Sequence, residues 1–234
     1  MTAMYIPLHP LKFKSKIVDQ IEIYKNHFIL SFTREPEERF MAGQLLALTT
    51  APDTIPPRLY SIASAETAEE STCYQIYYNT TKEGQLSNRL AALKAGDELH
   101  RSSPFGQFIF PKSKSYFIAV GTGIAPFLSK IKSTDHFQEV KLLHGAKNLE
   151  LLLGHEIFSS KLKKNYIPCL SQDSAYPGLF QGRVSDYLQN CDASKLPLDY
   201  HYYLCGSAEM VVQTRDILLS KGVPFNLISA EIYF

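Results

Sequence analysis

The sequence predicts a β + α/β protein: an N-terminal antiparallel β-barrel followed by a C-terminal parallel-sheet α/β nucleotide-binding unit. Three observations carry that expectation. Up to about Pro111 the chain is a series of short β-branched and aromatic segments separated by turn residues. From Tyr116 onward, strand-like apolar runs alternate with helix-compatible runs, the pattern of a parallel sheet covered by helices. Between the two lies Tyr116–Leu128, where a buried-strand pattern meets Gly121-Thr122-Gly123 and then a helix-compatible run with Pro126 near its start. Glycines in such a turn let the backbone approach a pyrophosphate closely, and the amides opening the next helix favour its negative charge.

At 234 residues the chain exceeds one typical domain, so two are expected, 1–111 and 112–234. A hydrophobic fraction of 45% and a charged fraction of 20% suit a soluble globular protein with a sizeable core. A formal charge of +1 offers no basic excess for nucleic acid or an anionic membrane. Cys73, Cys169, Cys191 and Cys205 form neither a CxxC pair nor an iron–sulfur spacing, so electrons would be handled without a metal cluster. No apolar run reaches the roughly 20 residues that span a membrane, and Met1–Lys16 has no signal-peptide core, so a cytoplasmic protein with reduced thiols is expected.

In the first half, strands are expected at Phe13–Val18, His27–Phe32, Gln44–Thr49, Arg58–Ala63, Tyr74–Asn79 and Glu98–Arg101. Lys12, Lys14 and Lys16 alternate with Phe13, Ser15 and Ile17 and so share one face, either a solvated barrel surface or a docking surface for an acidic partner. Within Pro56–Ala63, alternation sends Arg58 and Tyr60 to one side and Leu59 and Ser61 to the other. An arginine grips a phosphate and a tyrosine two residues along covers an aromatic ring, although any half-exposed strand can hold this pattern. Gly84-Gln85-Leu86-Ser87 reads as a glycine turn with Ser87 as the N-cap of a short helix ending near Ala95-Gly96-Asp97. That helix either plugs the barrel or offers its first amides to a pyrophosphate.

Arg58-Leu59-Tyr60-Ser61, Gly84-Gln85-Leu86-Ser87 and Gly121-Thr122-Gly123-Ile124-Ala125-Pro126, in that order, resemble the ferredoxin–NADP reductase family, most of all its compact bacterial ferredoxin (flavodoxin) reductases. The likeness runs from about Phe13 to Phe234, and the order of the motifs is more specific than any one of them. The resemblance implies that the first half holds FAD through the motif Arg58, Leu59, Tyr60 and Ser61. Arg58 would bind the pyrophosphate, Tyr60 would stack on one face of the isoalloxazine, and Ser61 would lie near flavin N5. Tyr77, Tyr78, Asn79 and Thr80 match the strand that lines the flavin, while Gln85, Leu86 and Ser87 match the helix start on the pyrophosphate.

In the second half, strands are expected at Val140–Gly145, Tyr166–Leu170, Tyr202–Cys205 and Asn226–Ala230, with helices at Leu149–Leu162, Arg183–Leu188 and Ala208–Ser220. Pro126 stands where the standard dinucleotide fingerprint has its third glycine. At the end of the second strand, His144-Gly145-Ala146-Lys147 replaces the acidic residue that holds a ribose 2′-hydroxyl, and a cation there suits a 2′-phosphate, favouring NADPH over NADH. The resemblance implies further phosphate contacts from Ser171, Gln172 and Arg183. Arg183 fits the family pattern, whereas Gln172 stands where arginine is usual and Lys147 where many relatives have arginine, so dual use or NADH stays open. Gly121, Thr122, Gly123, Cys205 and Gly206 complete the implied NADP site, with Thr122 also touching the flavin.

A cysteine ending a strand is commonly buried and inert. The resemblance places Cys205 beside the nicotinamide with Gly206 leaving room for it, and no paired histidine or CxxC marks the thiol as a nucleophile. Tyr233 and Phe234 would ordinarily be edge packing or a frayed end; by resemblance they cover the flavin face opposite Tyr60. Glu231 matches an acidic residue near the nicotinamide and flavin N5, either part of a proton path or an anchor for Ser61 or backbone amides.

What the resemblance implies is an enzyme in which NADPH gives a hydride to FAD and single electrons then pass to a separate carrier, ferredoxin or flavodoxin, with Ser61, Cys205 and Glu231 bounding the reaction pocket. One alternative changes the acceptor to an oxygenase component, a haem protein, free flavin or a quinone. Another keeps the flavin in a non-catalytic regulatory subunit. A monomer or weak dimer is expected.

Overall fold

Alternating buried and exposed side chains build a long antiparallel hairpin from β1 (Phe13–Tyr24) and β2 (His27–Thr33), turned at Asn26, whose φ of 64° is a conformation asparagine tolerates. This computed structural model describes residues 10–67, 72–173, 176 and 178–233. Phe234 lies outside the described residues, as do positions 1–9 and 68–71 of the expected first domain. The first strand runs six residues beyond the expected Val18, because register irregularities flanking Asp19–Glu22 keep it paired through a polar stretch that breaks the apolar alternation. Of the three lysines, Lys14 and Lys16 lie on the exposed side of β1, where Lys14 meets Glu98 at 3.4 Å, and Lys12 precedes the strand.

With β3 (Leu45–Thr49), β4 (Arg58–Ser61), β5 (Cys73–Asn79) and β6 (Glu98–Arg101) these strands form one antiparallel sheet in the order β4-β3-β6-β1-β2-β5. Its ends are drawn together at a single bridge, Ile62 to Ile76, and by the Ala63 N–H donating to Gln75 O at 2.8 Å. The architecture is therefore barrel-like, with a narrow seam in place of a full closing ladder. Leu30, Phe32, Leu46, Leu48, Ile76 and Leu99 fill its interior, and α1 (Gln85–Ala91) inserts Leu86 and Leu90 there. Arg101 is fully buried, so its donors need partners. Glu38 takes two at 2.8 and 2.6 Å and Ser15 Oγ a third at 2.8 Å, while Phe13 lies 4.4 Å from the guanidinium.

The second half is a parallel sheet of β7 (Ser115–Val120), β8 (Val140–Ala146), β9 (Tyr166–Leu170), β10 (Phe180–Gln181), β11 (His201–Ser207) and β12 (Ile228–Tyr233), in the order β10-β9-β8-β7-β11-β12. Helices α2 (Ala125–Lys132), α3 (His155–Leu162), α4 (Val184–Asn190) and α5 (Ala208–Ser220) connect them. The chain winds outward from β7 through β8 and β9, then returns to place β11 on the other side of β7. That reversal opens a crevice at the carboxyl ends of β7 and β11, the usual ligand position in such sheets.

Two expectations need correction, and one strand was not expected. The helix expected over Leu149–Leu162 is broken by Gly154, whose φ of 76° ends a 3₁₀ turn at Leu149–Leu151 before α3 begins. The last strand starts after a 3₁₀ turn at Phe225–Leu227 and runs to Tyr233, because it pairs with β11 from Tyr202–Ile228 through Ser207–Tyr233. Strand β10, two residues long, carries no readable alternation.

One core cluster joins the halves, with Ala42, Ala63, Tyr77 and Phe110 buried together with Phe117, Ile124, Phe127 and Cys205. Phe110 lies 5.1, 5.3 and 5.0 Å from the rings of Phe117, Phe127 and Tyr203. Polar ties reinforce this seam. Lys132 Nζ donates to Gln75 Oε1 at 3.1 Å, and the Glu66 N–H donates to Ser133 Oγ at 2.8 Å.

Behind β8, the Tyr166 hydroxyl bridges His144 Nδ1 at 3.3 Å and His155 Nδ1 at 3.2 Å. Burial, with the nearby His155 charge second, holds His144 down from 6.5 to about 3, and burial also lowers His155 against the opposing pull of Glu156. Both rings therefore fold neutral. Below 6.5 the unfolded chain takes up protons that the folded chain refuses, so stability is fully present above that value and is lost as pH falls towards about 3. Urea unfolding midpoints should drop between pH 7.5 and 5, and His144→Phe should flatten the trend. A flat wild-type profile would contradict this reading of the cluster.

Candidate functional site

The carboxyl ends of the parallel strands meet one edge of the antiparallel sheet, and there Ser61 at the end of β4 reaches Glu231 on β12. The Ser61 hydroxyl donates to Glu231 Oε1 at 2.9 Å. Cys205 on β11 is the register partner of Glu231, so thiol and carboxyl occupy neighbouring strands at one level. Burial raises the Glu231 carboxyl above its ordinary 4.5, partly offset by the Ser61 hydrogen bond. Burial, then the Glu231 charge, raises the Cys205 thiol well above the ordinary range, so the thiol stays protonated. Tyr233 is two residues beyond Glu231 and packs against the cluster that contains Ala63, Tyr77 and Cys205. Its hydroxyl is buried close to Cys205 and Ser61 without a hydrogen bond of good geometry.

The motif on β4 offers an exposed cation and apolar surface beside this group. Arg58 is exposed and makes no ion pair with a carboxylate among the described residues, and Leu59 is 43% exposed. Tyr60 is half-buried edge-on to Tyr78, with ring centroids 6.2 Å apart and planes at 82°. Burial pushes the Tyr60 hydroxyl up to about 12 against the pull of Arg58, and burial alone does the same for Tyr77. The Tyr77 hydroxyl is buried without a partner, Asn79 is exposed, and the Thr80 N–H donates to Asn26 O at 2.9 Å. At the start of α1, Gln85 is exposed, Leu86 is buried and Ser87 is half-buried. Ser87 is not the N-cap. Gly84 occupies that position without a side-chain cap, and the Ser87 hydroxyl donates back to Gly84 O at 3.5 Å, because the helix begins three residues earlier than a Ser87 cap implies.

The glycine turn is a 3₁₀ turn, Gly121–Ile124, that runs directly into α2. Gly121 has a φ of 58° with open space where a Cβ would project, so its requirement is conformational. Gly123 is different: a Cβ there would lie 2.3 Å from Cys205 O, so its requirement is close approach of the turn to β11. A Cβ on Gly206 would meet Met210 Cε at 2.7 Å. Thr122 is half-buried between the two turn glycines.

Lys147, Ser171, Gln172 and Arg183 follow the carboxyl ends of β8, β9 and β10, and all four are exposed. Backbone bonds hold the three loops together: Gln172 N–H to Lys147 O at 3.0 Å, Ser171 N–H to Ala146 O at 3.0 Å and Gly182 N–H to Leu170 O at 2.8 Å. Arg183 Nη1 lies 3.6 Å from Glu209 Oε1, a contact the sequence did not suggest because α5 comes from far along the chain. It also gave no sign of Gln20 and Phe28, which support Tyr78 from β1 and β2 and lie in segments with no motif. Among the described residues, no helix is long and apolar enough to cross a membrane, and no three His, Cys, Asp or Glu side chains are grouped to hold a metal ion.

Residues 117–216 match the oxidoreductase NAD-binding domain family. The chain is 31% identical over 231 residues to a ferredoxin–NADP reductase of Pseudomonas aeruginosa, covering 85% of this chain and 86% of that protein. It is also 29% identical over 201 residues to the phenol hydroxylase P5 protein of Acinetobacter pittii, covering 78% of this chain and 54% of that protein. The crystal structure of a ferredoxin NADP+ reductase from Neisseria gonorrhoeae with bound FAD and NADP aligns with a TM-score of 0.84 at 24% identity, covering 95% of this chain and 98% of that one.

Proposed function

The chain belongs to the ferredoxin–NADP reductase family, and on that premise we propose a flavoenzyme that holds FAD on a domain of residues 1–111 and NADPH on a domain of residues 112–234, passing electrons singly to ferredoxin or flavodoxin. The observation that carries the reading is the Ser61–Glu231 hydrogen bond of 2.9 Å, formed beside Cys205 where the two sheets meet. The residues fit the two groups. Arg58 faces no carboxylate among the described residues, the buried Tyr77 hydroxyl has no hydrogen-bond partner, and Gly121 leaves open space at the turn.

In this reading Arg58 holds the FAD pyrophosphate with the amides of Gln85, Leu86 and Ser87, and Tyr60, supported by Tyr78, covers one face of the ring. Tyr77, Asn79 and Thr80 line its edge, and Thr122 and Tyr233 approach from the other half. FAD, when bound, supplies the conversion between a two-electron nicotinamide hydride and one-electron carriers. Cys205 and Gly206 shape the space for the nicotinamide, a protonated thiol bringing no charge to it. Glu231 orients the Ser61 hydroxyl and holds a proton-accepting oxygen at the same place. Lys147, Ser171, Gln172 and Arg183 receive the 2′-phosphate end, with Arg183 drawn from Glu209 to the ligand.

The test begins with the spectrum of the purified protein, which should show bound flavin. Stopped-flow bleaching should then be faster with NADPH than with NADH, and Lys147→Ala with Arg183→Ala should erase about tenfold of that preference. Equal bleaching by both nucleotides in the wild type would remove the 2′-phosphate assignment. Similarity to a phenol hydroxylase component favours one second reading, in which the acceptor is an oxygenase partner. Reduction rates with ferredoxin, flavodoxin and an oxygenase component, measured side by side, separate the two.

A further inference from the structure

Gln20, on the inward side of β1, makes three side-chain hydrogen bonds to two different parts of the surface just described. Its Oε1 accepts from the Tyr78 hydroxyl at 2.9 Å, and its Nε2 donates to Ala91 O at 3.1 Å and Leu93 O at 3.3 Å. We propose that Gln20 is a positioning residue that fixes Tyr78, and through it Tyr60, as the floor beneath the flavin ring; the inference rests on the function proposed above.

The Tyr78 ring is clamped between stacking on Phe28, at 5.4 Å and 20°, and edge contact with Tyr60 at 6.2 Å. Tyr78 is 2% exposed, and burial raises its hydroxyl, so the group remains a donor that must find an acceptor inside the protein. Gln20 is the acceptor the structure provides. The amide is itself fixed, because its donor hydrogens go to one carbonyl at the last residue of α1, which a helix leaves without an intrahelical partner, and to another just beyond it. A tyrosine on a sheet can rock about its ring axis and carry its neighbour with it. One held at its hydroxyl by a doubly anchored amide cannot, and Tyr60 then keeps one plane.

A purely structural role, tying β1 to α1, would use the same bonds, so the variants must divide the two arms. Gln20→Met removes both at similar volume. Gln20→Glu keeps an acceptor for Tyr78 and loses the donors to α1. Holoenzymes should be compared by FAD release on dilution and by the visible absorption bands of the bound flavin. Gln20→Met should release FAD about tenfold more readily, the scale of one hydrogen bond, with shifted flavin bands. Gln20→Glu, which keeps an acceptor for Tyr78 but loses the anchors to α1, should fall between wild type and Gln20→Met on both readouts, and Tyr78→Phe should add nothing in the Gln20→Met background. Identical behaviour of the Met and Glu variants would overturn the proposal, as would a Met variant that loses thermal stability but keeps wild-type bands and FAD release. A wild-type protein that takes up no flavin would instead defeat the function proposed above, and this inference with it.

Discussion

Glu231→Gln is expected to slow NADPH-dependent reduction of an artificial acceptor about a hundredfold, the lower range for removing a positioned proton-handling group. The side chain keeps its size and can still accept from Ser61, so the 2.9 Å tie survives while the ionisable oxygen is lost. The pH profile is the sharper readout. Burial raises the wild-type carboxyl above 4.5, so activity that needs the ionised form should fall on the acid side at a pH above that of an ordinary glutamate. The Gln variant should lack that acid limb. Should it keep both the rate and the limb, Glu231 does no more than anchor the serine.

Gly123→Ala should be the most damaging change in the glycine turn. Its new Cβ would lie 2.3 Å from Cys205 O and 2.8 Å from Gly206 N, backbone atoms of a buried strand that cannot swing aside as a side chain does. Overpacking of this kind costs about 1–3 kcal/mol, or a melting temperature lower by roughly 3–10 °C for a chain of this size. Because the displaced backbone is that of Cys205 and Gly206, NADPH binding should weaken as well. Gly121→Ala is the contrasting variant, since the space there is open and only the positive φ opposes it. Equal melting temperatures for Gly123→Ala and the wild type would show that the glycine turn can draw back from β11 without cost.

The strands of the first half were legible because apolar and aromatic residues alternate within a few positions of each turn, as from Tyr74 to Asn79. The same rule stopped β1 at Val18, since the polar residues Asp19, Gln20 and Glu22 hide a strand whose bonds come from β2 rather than from its own pattern. Gly154 was readable as a residue but not as a break, because the leucine-rich segment Leu149–Leu153 before it suits a helix. For the site, it was the family resemblance, and no pattern around Cys205 or Glu231 themselves, that implied a common pocket for Ser61, Cys205 and Glu231; the structure brings Ser61 and Glu231 into hydrogen-bond contact with Cys205 alongside. Contacts made by residues without a motif were invisible. Gln20 and Glu209 acquire their positions only when β1 meets α1 and when α5 meets the loop before α4.

The aromatic seam around Phe110 bears on how such a protein can be inherited. A genetic exchange near Pro111 would fall in a chain segment between strands, where splicing looks harmless. Yet Phe110 on one side of the joint packs against Phe117, Phe127 and Tyr203 on the other. A transplanted nucleotide-binding half would leave that ring facing water unless it brought matching aromatics, and with them strands spaced to return Glu231 to Ser61. Descent should therefore carry the two halves as a pair, and chimaeras joined at this point should be rescued first by restoring the three aromatic neighbours of Phe110.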